Sequence, residues 1–273
     1  MTGALDALLG PGQRLAILSA LVDEQRGLID QLRQRQRIEH AGRHFWLGLF
    51  HGVPVVLTVS RIGKVSASMT AAILIERFAA GAIVFTGVAG ALGDAVQVGD
   101  VVVAEDFIQH DLDVSPLFAR YEVPAYGRAR FACHAGLSQA LLRSVRHSLA
   151  RDFASARVHQ GLIASGDRFV SGAAEVQALR QRLGQDGHPA LAVEMEGAAV
   201  AQVCADHGLP YAAMRTISDR ADDQAHRDFA QFVEQVASRY AQAIIGHLLS
   251  DLSSVAPARS GADAPDGALA ARL

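Results

Sequence analysis

The stretch LAVEMEGAAVAQV, residues 191–203, decides how this chain is read. An apolar run from Ala190 to Val193 is broken by Glu194 and Glu196, with Met195 between them, and a run of small helix-forming residues follows at once. That pattern is a buried strand that ends in carboxylates and turns straight into a helix. A buried carboxylate is expensive unless something pairs with it or uses it. In extended chain the two acids point to the same side, so the strand end is where chemistry is to be sought.

Working outward, the alternation repeats. RLAILSA (14–20) reads as a buried strand, followed by a polar helical stretch from Asp23. HFWLGLF (44–50) and VPVVLTVS (53–60) flank a hairpin turn at His51-Gly52. Residues 63–78 have helical spacing, AIVFTG (82–87) is a strand, and 100–108 form a further strand after the turn Val98-Gly99-Asp100. An amphipathic helix (134–153), a strand (158–165) and a helix closed by Gly184 (173–184) come next. The opening strand then leads into a helix closed by Gly208, the strand YAAMRTIS (211–218) and a last helix from His226 to Leu249. Strand–helix–strand units with short connections imply an α/β fold: a single three-layer domain whose central sheet is mixed but mostly parallel, flanked by helices. The expected division is an N-terminal extension (1–13), the α/β domain (14–250) and a disordered C-terminal tail (251–273) rich in Ala, Ser, Gly and Pro.

Composition narrows the function. The 273 residues are 50% hydrophobic and 19% charged, with a net charge of −3, so no basic field invites nucleic acid. Lys64 is the only lysine among 25 basic residues, which reads as codon bias. Cys133 and Cys204 are far apart, lie in apolar helical contexts and are expected as reduced core thiols of a cytoplasmic protein. The longest uncharged run, Phe78 to Gly93, is too short and too rich in glycine to span a membrane. The N-terminus has no basic residue before its apolar part and makes a poor signal peptide.

In open α/β sheets ligands bind beyond the carboxyl ends of the strands. Glu24 follows the first strand there, TGVAGALGD (86–94) and GDRFVSG (166–172) follow two others, and Ser218-Asp219 close the last. Singly, each has a structural reading: the acids as helix caps or first-turn charges, the glycines as a tight turn, Phe169 as core. His110, Asp111 and Asp113 form a weak metal set with no second histidine at helical spacing; no metal or cofactor is expected. Together, acids from several strand ends with an aromatic ring suit a small polar ligand carrying a planar base, and acid/base cleavage.

Residues 193–222, VEMEGAAVAQVCADHGLPYAAMRTISDRAD, resemble the signature of 5′-methylthioadenosine/S-adenosylhomocysteine nucleosidases, of the nucleoside phosphorylase/hydrolase superfamily. ALVDEQ (20–25), SRIGKVSAS (60–68), FTGVAGAL (85–92), VGDVVVAEDFIQHDLDVS (98–115) and ASGDRFVSG (164–172) recur in family order. The resemblance implies a nucleoside phosphorylase-like fold and hydrolysis of the N-glycosidic bond of both nucleosides, releasing adenine and the 5-thio-substituted ribose. It implies that Asp219 protonates adenine N7, with a pKa raised by burial, that Ser218 orients it, and that Glu24 activates the attacking water. Glu196 then grips the ribose hydroxyls, Met195 packs under the ribose, Phe169 stacks on adenine, the Val170 backbone reads its edge, and Phe229 walls the 5′-thio side. Ala89, Gly90 and Ile62 complete the implied binding residues, and Glu194 is left as a structural acid. A homodimer is implied, with the partner subunit bordering the 5′ pocket. Three departures from the family pattern, Arg61, Val88 and Gln109, fall on the 5′ side. Alternatives are hydrolysis of another purine nucleoside (futalosine-type or adenosine), phosphorolysis with Arg61 as phosphate ligand, and a non-catalytic binding module.

Overall fold

Every residue of Tyr211–Asp219 (β11) is buried, and the sheet is organised around this strand. The computed structural model describes residues 8–25, 27–220, 229, 232 and 236–254. β1 (Arg14–Ser19) runs parallel to both β4 (Val53–Val59) and β5 (Ala80–Phe85), and β5 runs parallel to β11. On the other side of β11 lie β6 (Val88–Ala91), β10 (Ala190–Glu194), β9 (Val158–Ser165) and β7 (Val101–Gln109). β7 pairs back onto β11, so these five strands close on themselves. β2 (Arg33–His40) and β3 (Arg43–Phe50) extend the open edge, and β8 (Arg130–Ala132) hangs on β7. The sheet is therefore mixed, as expected, but half of it is a closed ring rather than an open, mostly parallel layer.

Alternating side chains give the sheet two apolar faces. Ala16 and Leu18 join the core under helices α2 (Lys64–Phe78) and α5 (Gly197–Asp206). Leu15 and Ile17 join the core under α3 (Ala135–Asp152) and α6 (Ser238–Ser254). α4 (Ala173–Gln185) packs on a smaller cluster through Leu179 and Leu183. A single turn of helix, α1 (Val22–Gln25), follows β1. No helix among the described residues is long and apolar enough to cross a membrane.

Several expectations change. Residues 33–40, RQRQRIEH, belong to the polar stretch expected as helix, yet they form the edge strand β2. They are mostly exposed, so no apolar period marks them as a strand; instead the Arg35 and Arg37 guanidiniums lie 5.4 and 5.8 Å from the Trp46 ring centre on β3. Residues 88–91, expected as a glycine-rich turn, are the buried strand β6, whose small side chains fit between β10 and β11. α4 runs through Gly184, and the positive φ that follows it belongs to Gly187. Cys133 lies past the end of β8 rather than in a helix, while Cys204 is on α5; both are free thiols. The last helix is described from Ser238 and continues through Ser254, beyond the expected end at 249–250. The expected tail from 255 onward, the first seven residues, and most of the expected helix between 226 and 235 lie outside the described residues. Of the expected N-terminal extension, Leu8 and Leu9 pack against the core.

Candidate active site

The carboxyl ends of β1, β9, β10 and β11 and the start of β6 open onto one cavity of about 200 Å³. It is lined by Glu24, Ile62, Ala89, Gly90, Phe169, Val170, Met195, Glu196, Ser218, Asp219 and Phe229, so it gathers every catalytic and binding residue that the resemblance implies. Ala20, Leu21, Val88, Arg168, Val193 and Glu194 complete the lining.

Glu24 is placed by α1, which folds it back over the end of β1. Its Oε2 accepts the Ala20 and Leu21 N–H groups, each at 2.9 Å, and its Oε1 accepts the Val88 N–H at 3.1 Å. Burial drives its pKa from 4.5 up to about 7, against these bonds and the Arg215 charge. A carboxyl with that pKa can exchange a proton near neutral pH. Val88 reaches Glu24 through its backbone, so the absence of a hydroxyl at this departure removes nothing from that contact.

Asp219 ends β11. The register of β11 against β6 shifts between Ile217 and Asp219, and such a bulge re-aims side chains that would otherwise alternate. Ser218 and Asp219 consequently both line the cavity. Ser218 Oγ donates to Asp219 Oδ2 at 2.7 Å.

The two acids of the opening stretch part company. β10 stops at Glu194, so strict alternation does not carry on to Glu196. Glu194 turns inward: it accepts the N–H groups of Glu196 and Gly197 and the Ser165 hydroxyl, and pairs with Arg215 Nη2 at 2.7 Å. It thus caps the first turn of α5, whose glycine, Gly197, is required because a Cβ there would run into the Phe107 ring. Arg215 is fully buried, 4.1 Å from the Phe85 ring centre, and also donates to the carbonyls of Phe85 and Met214. The sequence reading did not single it out, although a lone arginine within an apolar strand was the available signal. Glu196 instead reaches out to the Gly63 N–H at 2.8 Å. Burial and the neighbouring Glu194 charge push its pKa up to about 8.

Phe169 and Phe229 meet edge to face, ring centres 5.6 Å apart. Arg61 and Gln109 are not among the lining residues. Arg61, at a φ of 69°, bonds the Gly42 carbonyl at 2.5 Å, and Gln109 bonds Lys64 and Gln202. The acids near His110 are taken up separately, Asp111 by Lys64 and Asp113 by Arg120. Among the described residues no cluster of three or more His, Cys, Asp or Glu is arranged to hold a metal.

The phosphorylase superfamily model matches residues 14–250. The 5′-methylthioadenosine/S-adenosylhomocysteine nucleosidase of Anoxybacillus flavithermus is 37% identical over 225 residues, covering 82% of this chain and 92% of that protein. The crystal structure of the nucleosidase of the same name from Neisseria meningitidis, in complex with methylthio-immucillin-A, matches with a TM-score of 0.79 at 34% identity, over 87% of this chain and 99% of that one. That from Colwellia psychrerythraea, in complex with adenine, matches with a TM-score of 0.79 at 30% identity, over 90% of this chain and 98% of that one.

Proposed function

The chain belongs to the phosphorylase superfamily, among its 5′-methylthioadenosine/S-adenosylhomocysteine nucleosidases, and from that membership we propose how its residues carry the activity. It hydrolyses the N-glycosidic bond of both nucleosides, releasing adenine and the 5-thio-substituted ribose. Asp219, oriented by the Ser218 hydroxyl, donates a proton to adenine N7, so the base leaves neutral. Positive charge builds on the ribose as the bond breaks, much as in glycoside hydrolysis. Glu24 takes a proton from the attacking water, and Glu196 holds the ribose hydroxyls and favours the cationic sugar. Phe169 stacks on the base, the Val170 backbone reads its edge, Met195 packs under the sugar, and Ile62, Ala89, Gly90 and Phe229 complete the walls.

The observation that carries this reading is that a base with a pKa of about 7 shares one small cavity with Asp219, Glu196 and Phe169. Water as the nucleophile is supported by the lining: Arg61 is turned to Gly42, and Arg168, the one arginine lining the cavity among the described residues, pairs with Glu175 at 3.0 Å. We also read the chain as one domain over 14–250, in three layers with α2 and α5 on one face and α3 and α6 on the other. We read the protein as cytoplasmic and homodimeric; for the homodimer, the exposed Ile62 of the cavity lining and the exposed Val65 and Met69 on α2 offer an apolar surface. The test is Asp219→Asn, which keeps the shape and removes the transferable proton. Adenine release should fall by about 10²-fold or more in a variant with unchanged circular dichroism; a loss smaller than about tenfold refutes Asp219 as the acid.

A further inference from the structure

A ring of three hydrogen bonds closes beside the cavity. The Lys64 N–H donates to Asp167 Oδ1 at 2.7 Å, the Asp167 N–H donates to Asp111 Oδ2 at 2.8 Å, and Lys64 Nζ donates to Asp111 Oδ1 at 2.7 Å. None of the three residues lines the cavity. Lys64 is the only lysine of the chain, and its side chain is 16% exposed. Burial acts to raise the Asp111 pKa, but the Lys64 ammonium and the Asp167 N–H outweigh it and hold the carboxyl below its usual range. Lys64 Nζ also donates to Gln109 Oε1 at 3.0 Å, and Gln109 Nε2 donates to Gln202 on α5 at 2.9 Å. Exposed ion pairs contribute little. This pair differs because it is half-enclosed and its carboxylate also accepts the Asp167 N–H.

What the ring touches gives it a use. Next to Lys64 in the chain, the Gly63 N–H holds Glu196. Gly63 has a φ of 96°, which strains any larger residue, and a Cβ there would stand a tight 3.2 Å from Asp167 Oδ1. Two residues beyond Asp167 comes Phe169, then Val170. β9 ends at Ser165, so Asp167 pins the loop soon after it leaves the sheet. We propose that Lys64, Asp111 and Asp167 are positioning residues that form a clamp, fixing the loop of Phe169 and Val170 relative to the start of α2, which holds Glu196. The clamp rests on the adenine and ribose roles given above to Phe169 and Glu196. It sets the distance between the base-reading and sugar-gripping walls of one site.

The test uses free adenine as a competitive inhibitor, because adenine needs the base wall alone. Lys64→Met and Asp167→Ala should each weaken adenine inhibition about tenfold, as should Phe169→Ala, while melting temperatures stay close to wild type. Lys64→Met combined with Phe169→Ala should be no more than about twofold worse than the weaker-binding single variant, since groups acting through one contact are not additive. Asp167→Asn keeps the acceptor for the Lys64 N–H and should stay within about threefold of wild type. Wild-type inhibition in Lys64→Met and Asp167→Ala would overturn the clamp, as would effects that multiply with that of Phe169→Ala. Unchanged inhibition in Phe169→Ala itself would refute the stacking role, and the clamp with it, whereas the first two outcomes leave that role standing.

Discussion

Replacing Glu24 by glutamine separates its charge from its shape and should spare the protein the loss of stability that wild type undergoes as pH rises. The folded carboxyl titrates at about 7, against an ordinary 4.5. At about 1.36 kcal/mol per pH unit, that gap leaves the ionised side chain about 3 kcal/mol worse off in the folded chain than in the unfolded one. Below pH 4.5 Glu24 is protonated in both states and costs nothing. As pH rises from 4.5 to 7 the unfolded chain gives up its proton first, so stability falls; above about 7 the full penalty is present. Glutamine is neutral throughout. Its amide has one mismatch, an NH₂ facing the Val88 or the Ala20 and Leu21 N–H groups, a cost of about 1–3 kcal/mol that does not vary with pH. The stability of Glu24→Gln relative to wild type should therefore rise by about 3 kcal/mol between pH 4.5 and pH 8. Urea unfolding of the ligand-free proteins at both pH values measures it. A difference that is flat with pH, or that falls, refutes a raised Glu24. In the active wild-type enzyme the same titration should appear as a rise in kcat/KM through about pH 7.

Other perturbations probe the rest of the site. Arg215→Met strands the buried Glu194 carboxylate and should cost about 3–5 kcal/mol; adding Glu194→Gln should restore part of it, and unfolding curves that show the double variant no better would contradict the pairing. Glu196, pushed up to about 8 by burial and the Glu194 charge, is mostly protonated at pH 7. Ribose hydroxyls donate to its ionised form, so binding of a non-hydrolysable methylthioadenosine analogue should release protons. Calorimetry in buffers of different ionisation enthalpy reads this, and Glu196→Gln should abolish the release.

The apolar strands and the residues at their ends were legible in the sequence because burial on both faces leaves continuous apolar runs, as in β1 and β5. Polar edge strands were not: β2 carries arginines that lie over Trp46 rather than in an apolar row. β6 was hidden because Ala89, Gly90 and Ala91 look like a turn when taken alone, and only the packing between β10 and β11 makes them a strand. The separate fates of Glu194 and Glu196 depend on Arg215, about twenty residues further along the chain, and on the Gly63 N–H, which reaches the site from the start of α2. The resemblance put Arg61 and Gln109 on the 5′ side; neither lines the cavity, and hydrogen bonds tie them to Gly42, Lys64 and Gln202.

The central claim is that water, activated by Glu24, cleaves the N-glycosidic bond. The most direct measurement is chromatography of the products from 5′-methylthioadenosine and from S-adenosylhomocysteine, each with and without inorganic phosphate. The account predicts adenine and the free 5-thio-substituted ribose from both nucleosides, at the same rate in either condition. A ribose 1-phosphate product, or a rate that depends on phosphate, would contradict it.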